Sequence, residues 1–531
     1  MKQLLLTLYV LLLCQIALAQ QEFHVFPNVS ITGNGDGSIQ NPWDLQTALN
    51  QSSNVVNGGD TIWLHKGVYN GRFISNISST VEGKYITVVP YKNEKVVLNG
   101  NVLSNKKQVL EVRGANVTFK DFEVTFLGNF PRHVKESGFL KVDGINHTSG
   151  YDNKFINLKI YNNPGSGFGS WKFTGGSVIY GCKIYNNGFF SNARGSGAGI
   201  YVQNISEKSR KIENNIIFNN YYMGIEAWSA STNADAAYVK NILIKDNVVF
   251  NNGSPGNHYK SNLIVATDDK NGINRATNIK VLDNVFYHNA DISNTAKGDA
   301  ASLTLGVNSK APLKNVEVKG NVIIGGNNSL RFDNAENTVF ENNLVYAGYV
   351  HLDKSILSNI SGWTFNNNNY FSKNSRNFRI INHRDYTFDD WKSSFKQDSN
   401  SQWSNIKQFS SDVVLNVIQN EYNENSFHIA LMDVKGEIVT VDFSDYNFPT
   451  GTKYKIVDVE NPNKILSEGI LPLNSKVEFI MQLTEFEKPL HNDYAKKTLS
   501  NFGVFEIEFQ LEQSLIEKSG WFGRFFKWLG F

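Results

Sequence analysis

Ionisable and aromatic residues recur on short strand-like segments between residues 139 and 353. Side chains alternate between the two faces of a strand, so the apolar members of a segment, such as Ile225 and Ala227, point to one side. The polar and aromatic members, such as Glu226 and Trp228, then point to the other side. We expect one shared outer face that carries Lys141, Asp143, Trp171, Tyr201, Gln203, Glu226, Trp228, Thr304, Arg331, Asp333, His351 and Asp353.

This outer face suits a groove that binds sugars. Exposed aromatic rings beside ionisable groups usually mark a site for a ligand or partner. The alternative is that loops inserted between the segments fold over the face and bury it. The residues predicted to bind the substrate are Lys141, Trp171, Arg194, Tyr201, Gln203 and Trp228.

One reaction that these residues fit is elimination at a uronic acid. That reaction neutralises the sugar carboxylate and removes a carbon-bound proton. The candidate bases His258, Tyr259 and Lys260 lie just before the segment Leu263–Ala266. An arginine can bind the sugar carboxylate through two hydrogen bonds. The predicted catalytic residues are Glu226, His258, Tyr259, Lys260 and Arg331.

A calcium ion is a candidate cofactor for the same reaction. Ca²⁺ is a hard cation that binds several carboxylate oxygens. Glu226, Asp268 and Asp269 are therefore the predicted metal ligands. The alternative for the adjacent pair Asp268 and Asp269 is an acidic turn without a metal.

Hydrolysis of a glycosidic bond is the competing reaction, and it requires two carboxyl groups about 5–9.5 Å apart. If the segments are stacked strands about 4.8 Å apart, carboxylates on neighbouring strands would meet that distance. Glu226 has no carboxylate at the same position of the neighbouring segments, and Asp268 and Asp269 lie several residues further along. Hydrolysis therefore requires that the end of a strand bends and brings Asp268 or Asp269 close to Glu226.

A repeated segment in residues 155–373 must position this face. Equivalent positions are 22–37 residues apart. Helical repeats show a period of 3.6 residues, which these segments lack, and a propeller blade needs about 40 residues. The pattern predicts an all-β protein, a right-handed parallel β-helix with long loops at one corner. The copies are Phe155–Asn163, Val178–Asn187, Ile212–Asn220, Ile244–Asn252, Val281–Asn289, Val318–Gly326, Phe340–Gly348 and the degenerate Trp363–Ser372.

Paired asparagines, such as Asn214-Asn215 and Asn342-Asn343, recur at one position of the repeat. Asparagine tolerates left-handed backbone angles, and its stacked amides can hydrogen-bond from coil to coil. We predict asparagine ladders inside tight turns, the alternative being exposed turn residues. A short helix within residues 41–50 is predicted to cap the first coil, since an open end exposes core and strand edges.

Three motifs resemble right-handed β-helix proteins of the pectate lyase type, a group that includes chondroitinase-B-like alginate and chondroitin lyases. They are residues 33–49 (GNGDGSIQNPWDLQTAL), residues 59–69 (GDTIWLHKGVY) and the units of the NNIIFNN type. The resemblance covers about residues 30–405 and implies a β-helix over residues 20–405 that acts on polysaccharide. Elimination from an acidic glycan is the leading expectation. The alternatives are a glycoside hydrolase and a non-catalytic glycan-binding or cell-surface protein.

The chain departs from the characterised families of this group. We find no asparagine, glutamate pair, lysine and arginine in the spacing of the chondroitinase-B-like lyases. The pectin hydrolases carry an Asp-Asp pair together with Gly-His-Gly and Arg-Ile-Lys; the chain has Asp268-Asp269 but lacks the other two motifs. No catalytic residue is therefore transferred from either family.

The amino terminus predicts export. Lys2, an apolar run and Ala-Leu-Ala ending at Ala19 read as a signal peptide over residues 1–19, with a lipoprotein signal at Cys14 as the alternative. We expect a bacterial protein in the periplasm or outside the cell. Cys182 would then be the one remaining cysteine and is expected in the core. The net charge of +2 gives no basic excess for nucleic acid, so polysaccharide is the expected partner of a monomer.

The carboxyl-terminal part predicts a second, smaller domain. Short alternating segments with turns indicate a small antiparallel sandwich over residues 410–511, which we expect to cap the end of the β-helix rather than to bind glycan. Residues 512–531 are aromatic and carry Arg524 and Lys527. This tail is predicted to contact a membrane surface as an amphipathic helix or to cover apolar surface of the protein.

Overall fold

The computed structural model describes residues 20–27, 35–289 and 301–511. The predicted signal peptide of residues 1–19 and the predicted tail of residues 512–531 lie outside these described residues. Within them, no helix has the length and apolar character that crossing a membrane requires.

The chain winds through three long sheets, and each coil gives one strand to each sheet. Strands of successive coils pair in parallel, except the last strand of sheet 3, which is antiparallel. The predicted all-β, right-handed parallel β-helix is therefore confirmed.

Sheet 1 contains Glu22–Val25, Thr61–Leu64, Ile86–Pro90, Val117–Lys120, Lys154–Ile156, Val178–Tyr180, Arg210–Glu213, Lys240–Lys245, Thr277–Leu282, Leu313–Lys319, Ala335–Glu341 and Thr364–Asn366. Sheet 2 contains Gly67–Asn70, Val96–Asn99, Glu123–Thr125, Lys159–Tyr161, Lys183–Tyr185, Ile216–Phe218, Val248–Phe250, Val285–Tyr287, Val322–Ile324, Leu344–Ala347, Asn369–Ser372 and Gln402–Asn405. Sheet 3 contains Phe73–Ser75, Gln108–Val112, Asp143–His147, Phe168–Ser170, Ile200–Val202, Ile225–Ser229, Leu263–Thr267, Leu303–Leu305, Leu330–Phe332, Val350–Leu352, Phe378–Ile380 and Asp385–Tyr386.

The interior of the coils is a continuous apolar core. On sheet 3 the inward residues Ile200, Ile225, Leu263 and Leu303 pair directly with one another and are fully buried. No coil can bury its apolar face alone, so this stacking supplies the hydrophobic stabilisation. Cys182 is buried and free, as expected for a core residue.

Asparagine ladders connect the coils at two corners, and the one between sheets 1 and 2 is the ladder predicted from pairs such as Asn214-Asn215. In the corner between sheets 1 and 2, the side-chain amide of Asn247 donates to the amide oxygen of Asn284 over 2.9 Å, and Asn284 donates to Asn321 over 3.0 Å. The preceding residues adopt left-handed angles, for example φ 53° at Asn214. In the corner between sheets 2 and 3, a second ladder consists of Asn163, Asn187, Asn220, Asn252 and Asn262.

Short helices cover both ends of the β-helix. The helix Leu45–Ala48 begins at Asp44, whose carboxylate accepts from the backbone N–H of Thr47 over 3.0 Å. At the other end, the helix Phe388–Phe395 stacks Trp391 on Phe378 with ring centroids 4.7 Å apart. The other helical segments are Ile356–Asn359 and the 3₁₀ turns Tyr91–Asn93, Ser254–Gly256, Ile360–Gly362, Ile406–Gln408 and Ser444–Tyr446.

The carboxyl-terminal residues form the predicted antiparallel β domain, but it does not cap the end of the β-helix. It lies along the side, against the outer face of sheet 2. That face carries a stack of rings including Tyr185, Phe218 and Phe250, which pack with Met432 and Val504. The expectation that this domain caps the end was wrong because the helix Phe388–Phe395 already covers the end. The apolar rings on sheet 2 would be exposed to solvent without the domain. The domain contains a five-stranded sheet (Val414–Asn420, Asn423–Met432, Phe502–Gln510, Lys453–Asp458 and Ile465–Ile470) and the strand pair Ile438–Asp442 and Lys476–Ile480.

Candidate functional site

The outer face of sheet 3 aligns the predicted residues in columns. Tyr201 pairs with Glu226, and Glu226 pairs with Ile264 on the next coil. The column continues through Thr304, Arg331, His351 and Arg379. Tyr201, Glu226 and Arg331 therefore lie on the same side of the molecule, as the alternation predicts.

A second column follows two residues further along the strands, and it contains the two predicted tryptophans. Trp171 is 40% exposed, and its ring centroid lies 5.4 Å from that of Tyr201. The side-chain amide of Gln203 donates to the Tyr201 hydroxyl over 3.0 Å and to the Trp228 carbonyl over 3.1 Å. Gln203 thus fixes Tyr201, while Trp171 offers an open aromatic face.

The predicted strand that carries Lys141 begins four residues later than expected, so the position of Lys141 was wrong. The expected strand Phe139–Asp143 is observed as Asp143–His147, so Asn146 and not Lys141 occupies the first column. Lys141 lies in the preceding loop, with its ammonium 3.9 Å from the Asp143 carboxylate. The error arose because Val142 is buried at a corner rather than in a strand.

Two corner loops bring cations to the beginning of these strands. Arg194 lies in the hairpin formed by Phe189–Phe190 and Gly195–Ser196, and its guanidinium stacks 3.8 Å from the centroid of the Tyr222 ring. Lys260 follows the turn Ser254–Gly256, and its ammonium lies 6.0 Å from the same centroid. Tyr222 was not among the predicted site residues because it precedes its strand and the alternation rule does not reach it.

A cavity of 680 Å³ opens on the outer face beside these loops. Ile264, which pairs with Glu226, forms part of its wall. The cavity thus collects residues predicted from three separate segments of the chain. Its lining includes Tyr222, His258, Tyr259, Lys260, Thr304, Arg331 and Asp333.

Burial is the main influence on the protonation of Glu226. Burial raises the pKa of Glu226 to about 7, while the nearby charges of Arg194 and Lys141 act to lower it. Burial and the charge of Glu226 raise the pKa of Tyr201 to about 12. At neutral pH the Tyr201 hydroxyl therefore keeps its proton, and a substantial fraction of Glu226 is protonated.

The three predicted bases differ in their surroundings. Burial, Arg194 and Arg331 lower the pKa of Lys260, which increases the fraction of neutral amine. Tyr259 packs on His288 with ring centroids 4.9 Å apart, and burial raises its pKa to about 12. His258 lines the cavity and is exposed. Of Lys260 and Tyr259, Lys260 is the better base.

The predicted calcium ligands are not assembled. Asp269 is fully buried, and its carboxylate accepts hydrogen bonds from the backbone N–H groups of Ala234, Asn271, Ile273 and Asn274. Burial acts to raise the pKa of Asp269, but these donors hold it below its ordinary value. Among the described residues no group of three histidine, cysteine, aspartate or glutamate side chains is placed to hold a metal. Asp269 thus stabilises a loop, and the residues present do not fit Ca²⁺.

The column of Glu226 carries no second carboxyl group on the two coils on either side, and the Asp268 carboxylate, which acts on the charge of Tyr201, lies outside this column. The two coils on either side of Glu226 place Gly169, Tyr201, Ile264 and Thr304 in its column. Asp333, whose pKa burial raises to about 6, belongs to the third coil after Glu226. Three strand spacings are about 14 Å, well beyond the separation that hydrolysis uses.

No protein-family model matches the chain, and no curated protein matches it. Among solved structures, the chain is similar to pectate lyase Pel9A, with 16% identity over 74% of this chain and 82% of that one and a TM-score of 0.42. It is similar to an alginate lyase from Paenibacillus sp. FPU-7, with 16% identity, 72% and 99% coverage and a TM-score of 0.31. It is also similar to the A-module of the Azotobacter vinelandii mannuronan C-5 epimerase AlgE4, with 13% identity, 68% and 94% coverage and a TM-score of 0.39. The strand pairing of this chain itself defines its fold.

Proposed function

We propose that the chain is a carbohydrate-active enzyme that cleaves an acidic, uronate-containing polysaccharide by β-elimination. The observation that carries the proposal is that Arg194 and Lys260 both lie over the Tyr222 ring, 3.8 and 6.0 Å from its centroid, just before the strand that carries Glu226. Arg194 and Lys141 act on the charge of Glu226, and Arg194 and Arg331 act on the charge of Lys260. A sugar carboxylate entering this region meets several positive charges, which makes the proton on the adjacent carbon more acidic.

The residues divide the reaction between them. The neutral amine of Lys260 takes the proton from the carbon beside the sugar carboxylate. The electrons of that C–H bond form a carbon–carbon double bond as the glycosidic C–O bond at the next carbon breaks. The Tyr201 hydroxyl gives its proton to the departing oxygen, which becomes the new reducing end.

Binding of the substrate uses the remaining polar groups. Arg194 and Arg331 pair with sugar carboxylates. Glu226 is half-buried, and in its protonated form it donates a hydrogen bond to a carboxylate, as an acid with a raised pKa can. Trp171 supports an apolar face of a sugar ring, and Gln203 holds the Tyr201 hydroxyl in place.

Elimination is favoured over hydrolysis by the spacing of the carboxyl groups. A hydrolase needs a second carboxyl group within about 10 Å of the first, whereas the Glu226 column offers Tyr201 and Ile264 on the adjacent coils and Thr304 on the second coil. A tyrosine and a lysine with a lowered pKa match the acid and base of an elimination instead. The predicted signal peptide of residues 1–19 supports export of the enzyme to its substrate.

The test is a panel of alginate, pectate, glycosaminoglycans and neutral glycans. We expect ultraviolet absorbance from an unsaturated uronate together with new reducing ends on at least one acidic glycan. Reducing ends without that absorbance would replace elimination by hydrolysis. No turnover on the whole panel, with retardation in a glycan affinity gel, would instead assign a non-catalytic glycan-binding role.

A further inference from the structure

One segment of the carboxyl-terminal domain runs over the loops that carry the candidate site. Residues 487–501, here called the strap, are the last part of the connection between the strands Lys476–Ile480 and Phe502–Gln510. They contain neither helix nor strand. The strap crosses the corner of the β-helix between sheets 2 and 3. Its backbone N–H at Leu490 donates to Asn162 over 3.0 Å, and the guanidinium of buried Arg132 donates to the Leu490 carbonyl over 3.1 Å.

The strap is fixed firmly to its own domain. The ammonium of Lys497 lies 2.6 Å from the carboxylate of Asp458 and 2.6 Å from that of Glu460. Both carboxylates are buried. Breaking a buried ion pair by moving one partner is strongly unfavourable. The position of the strap therefore follows the position of the domain.

The strap holds the loop that ends at Lys260. The side-chain amide of Asn492, which is only 8% exposed, donates to the Pro255 carbonyl over 2.9 Å. The hydroxyl of Thr498 accepts from the side chain of Asn251 over 2.9 Å. Lys260 at the end of the loop lines the cavity, whereas Asn251 and Pro255 do not.

The strap also supports the hairpin that carries Arg194. The ring of Tyr494 packs edge-on against Phe190, with centroids 5.5 Å apart. The hairpin also touches the backbone of the loop that ends at Lys260, since a Cβ atom placed on Gly195 would come within 2.9 Å of the Gly256 Cα. Hairpin, loop and strap thus form one packed unit.

We propose that the strap is a positioning element that sets where Lys260 and Arg194 stand relative to sheet 3, with Asn492 and Tyr494 as its positioning residues. The kinetic part of this inference rests on the proposed function. Asn492 acts on the loop of the base, and Tyr494 acts on the hairpin of a substrate-binding arginine. Neither side chain lines the cavity itself. The carboxyl-terminal domain is then a structural part of the site instead of a separate glycan-binding module.

Substitutions in the full-length protein test the two contacts separately. Asn492→Ala should lower kcat roughly 10-fold or more with little change in KM, because a displacement of about 1 Å at a catalytic group is costly. Tyr494→Ala should raise KM several-fold with a smaller change in kcat. The conservative Asn492→Gln and Tyr494→Phe should restore most of each loss. Exposed Asn474, in the same domain but outside the strap, gives the matched control Asn474→Ala.

Hydrogen–deuterium exchange supplies a readout that does not depend on turnover. Asn492→Ala should speed amide exchange in residues 253–260 while the strand Leu263–Thr267 exchanges as in the unchanged protein. Equal exchange and equal kinetics in both alanine variants would overturn the positioning role even if the enzyme is active. If both alanine variants lost thermal stability to the same extent, and neither changed kcat or KM selectively, the strap would have a purely structural role. If the unchanged protein were inactive on every glycan, the proposed function would be wrong. The exchange measurement would still test whether the strap positions the loop that ends at Lys260.

Discussion

Tyr201 and Glu226 occupy the same position on two neighbouring coils, so their side chains leave sheet 3 next to each other. Burial raises the pKa of both groups, and the charge of Glu226 raises the pKa of Tyr201 further. Their protonation states are therefore linked to the fold itself. This coupling gives the first expected outcome.

Stability should fall as the pH rises through the range in which Glu226 ionises. Its pKa in the folded protein, about 7, lies above its ordinary value, so the folded state holds this proton more tightly than the unfolded state. The stabilisation is complete below the ordinary pKa and is lost as the pH rises through 7. Glu226→Gln should remove this dependence and stabilise the protein at pH 8 by about 1–2 kcal/mol, a figure reduced for partial exposure. Thermal unfolding of both proteins at pH 5 and pH 8 measures the difference, and equal pH profiles would contradict the raised pKa.

Lys260 should be required in its neutral form. Lys260→Arg keeps a positive charge but cannot lose its proton, so we expect kcat to fall at least about 100-fold. Initial rates on the acidic glycan identified by the panel measure the change. Exposed Lys270 provides the matched control Lys270→Arg, which should leave kcat unchanged. Turnover at the normal rate by the Lys260→Arg variant would show that another group removes the proton.

Trp171 should contribute to the binding of the sugar chain and not to the chemical step. Its ring is open to solvent beside Tyr201, and loss of a stacking ring removes roughly 1–2 kcal/mol of binding energy. Trp171→Ala should therefore raise KM about 5- to 30-fold with kcat nearly unchanged. Phe173 is also exposed, at 61%, but lies two residues further from the strand Phe168–Ser170 than Trp171, so Phe173→Ala is the control. Equal effects of the two substitutions would remove Trp171 from the groove.

The fold could be predicted from the sequence because each coil repeats the same local chemistry. Asn214 and Asn342 mark turns that need left-handed angles, and Asn215 and Asn343 follow them in the ladder. The columns of sheet 3 follow from the alternation of side chains once the strands are known. Local patterns of this kind are visible in a single sequence.

The loops could not be predicted in the same way. Tyr222 meets Arg194 through packing between a hairpin and a corner, and no periodicity encodes that contact. The position of the carboxyl-terminal domain depends on which outer face of the β-helix carries rings such as Phe218 and Phe250. Asp269 has the composition of a metal ligand, but its backbone donors become known only with the loop conformation.

The asparagine ladder should be among the most sensitive parts of the β-helix. The side chain of Asn284 donates to the carbonyls of Ile244 and Leu282 and to Asn321, and its oxygen accepts from the backbone and side chain of Asn247. Asn284→Ala would leave several buried donors and acceptors without partners, and each costs about 1–3 kcal/mol. We expect a loss of about 3–5 kcal/mol in the free energy of unfolding.

Denaturant unfolding followed by intrinsic fluorescence measures that loss. Asn369 is the matched control, because it lies in a strand of the same β-helix but is exposed, and Asn369→Ala should change the free energy of unfolding by less than about 0.5 kcal/mol. The contrast separates ladder hydrogen bonds from asparagine composition as such. If Asn284→Ala and Asn369→Ala shifted the midpoint equally, the coils would be held together by apolar stacking alone, and the asparagines would serve only to turn the chain.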